Sequence, residues 1–327
     1  MSSTARLLLR VDNLKFTNGH YNIGEGITLS SWSEKIESDF FKNNYGSRLL
    51  EEVNACNCII EVTEQNSERD NTKQKAACLL TTLRLLSYPA TIKYTYALHG
   101  NTLNSPVENT VQPIYYCSSY IISNFGCSID ENKIETVKKC NDILWELYLE
   151  RQKGNYRELF HSIRYWDKAL TEKTLEFSCM LLVAALEGLF SNKRFDFTSN
   201  FKKFIECEDN VIEEMRDIRH SAAHCFEFDN SYYGNEVPLL YLRQMQLGIS
   251  VKHILLQFLF NSELLEISKT AKGLRDFKKD KISSNIEIIN LEEKTKIIFL
   301  EQYKYLLNKD MTSLEMANKI YKIKQGK

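Results

Sequence analysis

The residues that could do chemistry are concentrated between Glu213 and Phe226, where the chain reads Glu-Glu-Met-Arg-Asp-Ile-Arg-His-Ser-Ala-Ala-His-Cys-Phe. Within nine positions it offers Arg216, Arg219, His220 and His224. An imidazole titrates near neutral pH, so it can take and return a proton. A guanidinium stays charged and presents a planar fork of donors that fits a phosphate or carboxylate. Proton transfer beside a fixed cation is the chemistry such a cluster can perform.

These residues need an element to position them. The pattern predicts a helix over 211–226 that ends near the motif. At about 100° per residue, with Arg219 at zero, Arg216 falls near 60°, His220 near 100° and His224 near 140°. Val211, Met215, Ile218, Ala222 and Cys225 fall between roughly 240° and 320°. The wheel therefore predicts an apolar face for packing and an opposite cationic face, interrupted by Ile212 and Ala223. The small Ala222 and Ala223 leave room for a second surface to approach.

The composition sets bounds. The chain has 327 residues, enough for one large domain or two, with 43% apolar and 26% charged residues. A net charge of −1 gives no general field for polyanions, so a nucleic acid must be met by a local basic patch. Nine cysteines, with only a Cys56-x-Cys58 pair and no CxxC, read as reduced, buried thiols. No apolar run reaches the roughly 20 residues needed to span a bilayer, and no leader is expected. A cytoplasmic protein with no membrane partner is the expectation.

The expected fold class is α+β and mainly helical. Residues 1–127 are expected to form a small mixed α/β domain with a sensing or regulatory role. Strands are predicted at 5–11, 58–63, 91–98 and 113–123, a polar loop around Gly19, Gly24 and Gly26, and a helix at 72–87 stopped by Pro89. Residues 128–262 read as a helical bundle. Helices are predicted at 134–152, from Asn155 with Glu158 as a reciprocal cap, from a Thr171 cap to Phe190, at 200–206, at 211–226, and from Pro238 to Phe260. Residues 191–198 read as a connection. The helix of 171–190 is apolar on nearly every side and should lie inside the bundle, with Glu187 as its exception. Residues 263–327 are expected to form a helical extension beginning at a Ser262 cap.

Two segments carry a family resemblance. Arg219-His220-Ser221-Ala222-Ala223-His224 resembles the signature of HEPN-domain ribonucleases, most closely the Apea-like group. Ala185-Leu186-Glu187-Gly188-Leu189-Phe190 resembles that group's A-L-E-x-L segment, and Arg164-Tyr165-Trp166-Asp167-Lys168-Ala169 its first-helix segment. The resemblance covers about 150–262, with Cys225 where many members have glycine and His220 where asparagine or aspartate is commoner. It implies a four- or five-helix bundle and a metal-independent endoribonuclease. The 2′-hydroxyl of RNA, tRNA being one candidate, would attack the adjacent phosphate. Catalysis would fall to His224 as the proton carrier, Arg219 as the cation on the phosphorane, and His220 as an orienting group. Glu187 and Arg216 would support them. Because Arg219 and His224 lie roughly 140° apart on one helix, a two-fold homodimer would bring one copy's arginine to the other's histidine. No cofactor and no metal are implied. A bacterial antiphage or toxin-like role is implied, with a phage-derived trigger or an antitoxin as partner.

Plainer readings stand beside these. Such a face is often only solvated, and the alternative function is a catalytically inactive HEPN module for dimerisation or RNA binding. His220 and His224 at i, i+4 could hold a metal, but no third ligand is evident. Glu187 reads equally as the carboxylate that orients Arg219 or a histidine and as a structural hydrogen-bond partner. Tyr88, Tyr94, Tyr96, Tyr115, Tyr116 and Tyr120 could stack bases, although sheet packing is the commoner use. His20, His99, His161 and His253 belong to no pattern.

Overall fold

The structure is a computed structural model, and it describes residues 4–12, 14–16, 20–24, 26–31, 43, 47, 51, 58–65, 69–87, 93–99, 127–172, 174–190, 194–223, 237–277 and 285–324. It is mainly helical with a small antiparallel sheet. The chain divides into two compact units, Met1–Glu146 and Leu147–Lys327.

The first unit is built on a five-stranded sheet. Its strands are β1 (Thr4–Asp12), β3 (His20–Gly24), β4 (Ile27–Ser31), β5 (Cys58–Gln65) and β6 (Lys93–His99), in the order β3-β4-β5-β1-β6. All neighbours are antiparallel, and β1 is paired on both sides, from Thr4↔Gln65 to Val11↔Cys58 with β5 and from Leu7↔His99 with β6. A short parallel pair joins β2 (Leu14–Phe16) to β7 (Cys127–Ile129). Side chains two apart share a sheet face, so Tyr21 and Ile23, Ile27 and Leu29, and Ile60 and Val62 all enter one core. The helix α1 (Arg69–Ser87) covers that face with Ala76, Leu79, Leu80 and Leu83. The predicted strands at 5–11 and 58–63 and the helix at 72–87 are present within a few residues, and β6 overlaps the predicted 91–98. The strand predicted at 113–123 lies outside the described residues. The polar loop predicted around Gly24 and Gly26 is instead a hairpin of β3 and β4, with Gly26 at φ +72°, a conformation that glycine adopts without strain.

The helix α2 (Glu131–Arg151) carries the boundary between the units. In the second unit α3 (Arg157–Ala169), α6 (Asp209–Ala223) and α7 (Val237–Phe260) all pack on α4 (Leu175–Phe190). Burial follows the sequence: Cys179, Leu181, Leu182, Val183, Ala185, Leu186 and Leu189 of α4 are all buried. Trp166 of α3 is fully buried among them. The described helices of the expected C-terminal extension pack back on this unit. α8 (Ser262–Ile267), α10 (Leu291–Tyr303) and α11 (Ser313–Lys324) pack on α7, and α9 (Ala271–Arg275) packs on α4.

Several predicted ends move. Asn155 does not cap α3. Its side chain donates to Glu150 and the helix starts after Tyr156, a left-handed residue at φ 54° with no side-chain cap. Thr171 closes α3 by donating to the Lys168 carbonyl, and α4 starts at Leu175. Residues 191–198 are not only a connection, because α5 (Arg194–Phe201) begins there. Residues 205–206 form β8 with a parallel partner β9 (Ile289–Asn290), not the end of a helix. Asn261, not Ser262, caps α8, its side chain accepting from the Glu263 and Leu264 amides. Each shift is a choice among adjacent polar residues that helical periodicity alone does not rank.

Candidate functional site

The helix α6 is held in rotation by two arginine–glutamate pairs on opposite flanks. Arg243 of α7, itself buried, donates Nε and Nη2 to the Glu214 carboxylate at 2.8 and 2.6 Å. Its Nη1 donates to Gln246 at 2.6 Å. On the other flank Arg219 Nη2 donates to Glu187 Oε2 of α4 at 3.1 Å. Glu187 keeps only 14% of its side chain exposed and Arg219 34%. Ile212, Met215 and Ile218 fill the space between.

These contacts correct the helical wheel. Ile212, near 20°, is fully buried. The packed arc therefore runs from Ile218 through Met215 and past Arg219 to Ile212, so Arg219 lies at the edge of the packed face. The exposed face is not purely cationic either, because Glu213 and Asp217 stand on it beside His220. The physical reason is that an arginine with a long apolar stem can sit on a packing face when a carboxylate meets its head.

Six residues line a cleft of about 170 Å³: Glu187, Glu213, Arg216, Asp217, Arg219 and His220. Four of the five residues singled out from sequence meet here. The fifth, His224, lies outside the described residues. Arg216 is placed by an aromatic cluster. Phe197 stacks on Phe201, and Phe190 stacks on Phe204 and meets Phe197 edge-on. The Arg216 guanidinium sits 5.3 Å from the centre of the Phe197 ring. An arginine over a ring face gains roughly 0.5–2 kcal/mol. Glu213 and Asp217 are the lining residues that sequence reasoning missed. Placing every charged residue on the wheel, rather than the basic ones alone, would have found them.

Chemically the cleft offers a guanidinium already oriented by a carboxylate, a second guanidinium on a ring, and an exposed imidazole. A guanidinium has five N–H donors, and the bond to Glu187 uses one of them. The remaining donors suit an anion arriving from solvent. Three carboxylates temper the positive field, so the cleft favours an anion whose approach is also guided from elsewhere. Among the described residues no three His, Cys, Asp or Glu are grouped to hold a metal ion. No described helix is long and apolar enough to cross a membrane.

The other sequence candidates resolve simply. His20 shares a hydrogen bond with Ser30 at 2.8 Å, and His253 one with the Glu287 carbonyl at 2.9 Å. Cys78, Cys140 and Cys179 are buried. Burial pushes the Cys78 and Cys140 thiols up to about 12, so neither is a nucleophile near neutral pH. Tyr94 and Tyr96 belong to β6, while Tyr88, Tyr115, Tyr116 and Tyr120 lie outside the described residues. Comparison of the whole chain with family models, with curated proteins and with solved structures gives no match.

Proposed function

We propose that this chain is a metal-independent, cytoplasmic endoribonuclease of HEPN type that acts as a homodimer. One observation carries the reading. Two segments singled out separately in the sequence, the A-L-E glutamate and the arginine of the terminal motif, are bonded to each other across α4 and α6. The arrangement of α3, α4, α6 and α7 suits a four-helix HEPN bundle. In the proposed reaction the 2′-oxygen forms a bond to phosphorus as His224 takes its proton. The bond from phosphorus to the 5′-oxygen then breaks, and the imidazolium returns the proton to that oxygen. The products are a 2′,3′-cyclic phosphate and a 5′-hydroxyl. Arg219 carries the charge on the phosphorane, where a preoriented donor is worth about 3–4 kcal/mol. His220 and Arg216 hold the flanking backbone. A role as an effector of bacterial antiphage or toxin-type defence, controlled by a phage-derived trigger or an antitoxin, completes the proposal.

A second reading is favoured by Glu213 and Asp217. Their charge lowers the anion affinity of the cleft and would suit a catalytically silent module in which this face serves dimerisation and any RNA binding falls to another face. Incubation of purified protein with total RNA, tRNA included, in the presence of a chelator separates the two. The nuclease reading expects cleavage with cyclic phosphate ends that falls at least about 10²-fold in Arg219→Ala and His224→Ala. Intact RNA under all conditions, with all three proteins harmless when expressed, sinks it in favour of the silent module.

A further inference from the structure

The first helix of the second unit carries a basic stripe that does not stand out as a row in the sequence, although Arg164 and Lys168 fall within the first-helix segment of the family resemblance. Arg157, His161, Arg164 and Lys168 follow one another at spacings of four, three and four residues. On a helix those spacings keep all four within an arc of about 60°. Arg157, Arg164 and Lys168 are exposed and His161 is half-buried, while the opposite side of α3 is sealed by Leu159, Ile163 and Trp166. The stripe runs about 16 Å. Arg151 extends it from the end of α2. Its guanidinium lies against two adjoining rings, 4.5 Å from the centre of Phe160 and 5.6 Å from that of Tyr148. Tyr165, 41% exposed, flanks the row beside Arg164. His161 reports the local field. Its pKa is lowered by burial and then by Arg157, Arg151 and Arg164, with Glu158 the one opposing charge. Positive charge therefore outweighs negative charge along this face, although the whole chain carries a net charge of −1.

We infer that this stripe is a backbone track for single-stranded RNA that leads its phosphates to the α6 cleft. The choice of RNA rests on the ribonuclease reading of that cleft. The geometry that favours a nucleic acid over an anionic membrane is the composition of the face. Cations spaced about 5–6 Å apart with one exposed aromatic match a charged strand whose bases can stack. A membrane surface would call for a row of Leu, Phe or Trp beside the cations. Position agrees as well. Glu187 of α4 holds Arg219, and the next residue, Gly188, lies against Ser162 and the Glu158 carbonyl of α3. The cleft and the upper half of the stripe are therefore at the same level along α4. The mixed charge of the cleft explains why a separate track is needed.

The test is binding of a fluorescent 2′-O-methyl RNA 20-mer, which cannot be cleaved by 2′-hydroxyl attack, to the full chain at several salt concentrations. In the double variant Arg157→Ala/Arg164→Ala affinity should fall about tenfold at 100 mM salt. The slope of log affinity against log salt should become shallower by about 1.4, two contacts at roughly 0.7 each for a single strand. Arg157→Lys/Arg164→Lys should keep the slope. Lys319→Ala/Lys322→Ala on α11, an equal loss of charge elsewhere, should bind as the wild type does. Equal effects of the stripe and α11 pairs, or an unchanged slope in the stripe pair, overturn the proposal. So does tighter binding to phosphatidylserine vesicles than to the RNA. Cleavage of a dinucleoside monophosphate, too short to reach the stripe, is scored in parallel and should be the same in the stripe variant as in the wild type. RNA binding through the stripe with no cleavage by the wild type removes the nuclease reading and leaves the track. Cleavage by the wild type with unaltered binding in the stripe variant removes the track alone.

Discussion

The bond between Arg219 and Glu187 sets what a single residue can do here. The Glu187 side chain is mostly covered and the Arg219 side chain about two-thirds covered. The pair is thus worth on the order of 1 kcal/mol, between an exposed ion pair and a charged hydrogen bond. Glu187→Gln keeps the shape and one acceptor but removes the charge. Its expected outcome is a melting temperature lower by about 2–4 °C. Cleavage at saturating RNA should fall about tenfold, while binding of 2′-O-methyl RNA changes by less than about twofold. Cleavage equal to the wild type would reduce Glu187 to a structural role. His161 gives a second test at this scale. Because Arg157, Arg151 and Arg164 add to the effect of burial, its NMR titration should lie below 6.5. Arg164→Ala should move it upward. A histidine that binds protons less readily folded than unfolded costs nothing above the unfolded pKa. Stability is lost as pH falls through about 6.5, and the loss levels off below the folded value. A titration at or above 6.5 would remove the field argument. The site was legible in the sequence where residue type and spacing coincide, as for Arg216, Arg219, His220 and Glu187. The stripe was not, because its members are ordinary surface residues that become a row only when the buried side of α3 is known.

At the scale of elements, the contact between α3 and α4 depends on Gly188. A Cβ placed there would stand 2.8 Å from Ser162 Oγ, and that hydroxyl is already committed to the Glu158 carbonyl at 2.9 Å. Gly188→Ala gains about 1 kcal/mol of helix propensity but forces the helices apart, at a cost of about 1–3 kcal/mol. The expected outcome is a net destabilisation in urea, relieved in the double variant with Ser162→Gly. If Gly188→Ala is as stable as the wild type, the helices are not held that closely. The position of α6 depends in turn on Arg243, whose guanidinium satisfies both Glu214 and Gln246. Helical periodicity located α3, α4, α6 and α7 because each buries one continuous stripe or nearly its whole surface. It missed α5, whose Phe197 and Phe201 serve an aromatic cluster rather than a stripe, and the β3–β4 hairpin, whose alternation of Tyr21, Ile23, Ile27 and Leu29 is broken by two glycines. The ends were hardest to read. Asn155, Thr171 and Ser262 are all good caps by residue type, yet Asn155 donates back to Glu150, Thr171 donates back to the Lys168 carbonyl, and Asn261 takes the cap beside Ser262.

At the scale of the molecule, the proposed site is divided between two chains, and division has a quantitative consequence. Arg219 is turned toward α4 by Glu187, and His224 follows it by five residues, which on the helix expected from the sequence over 211–226 places it roughly 140° further around. If one chain's Arg219 works with its partner's His224, a dimer of Arg219→Ala with His224→Ala contains one site with both groups and one with neither. Each variant alone should be inactive. Equal mixing with subunit exchange makes about half of the dimers mixed, each with one of two sites intact, so about one quarter of wild-type cleavage should return. A site complete within one chain gives no recovery at any mixing ratio, because every chain in the mixture lacks one of its two groups. The recovered activity should also fall on dilution as dimers separate, with a midpoint equal to that of the mass change measured by light scattering. Recovery that survives dilution below that midpoint would mean that cleavage does not need the pair, and the shared site would have to be abandoned even with the nuclease activity intact.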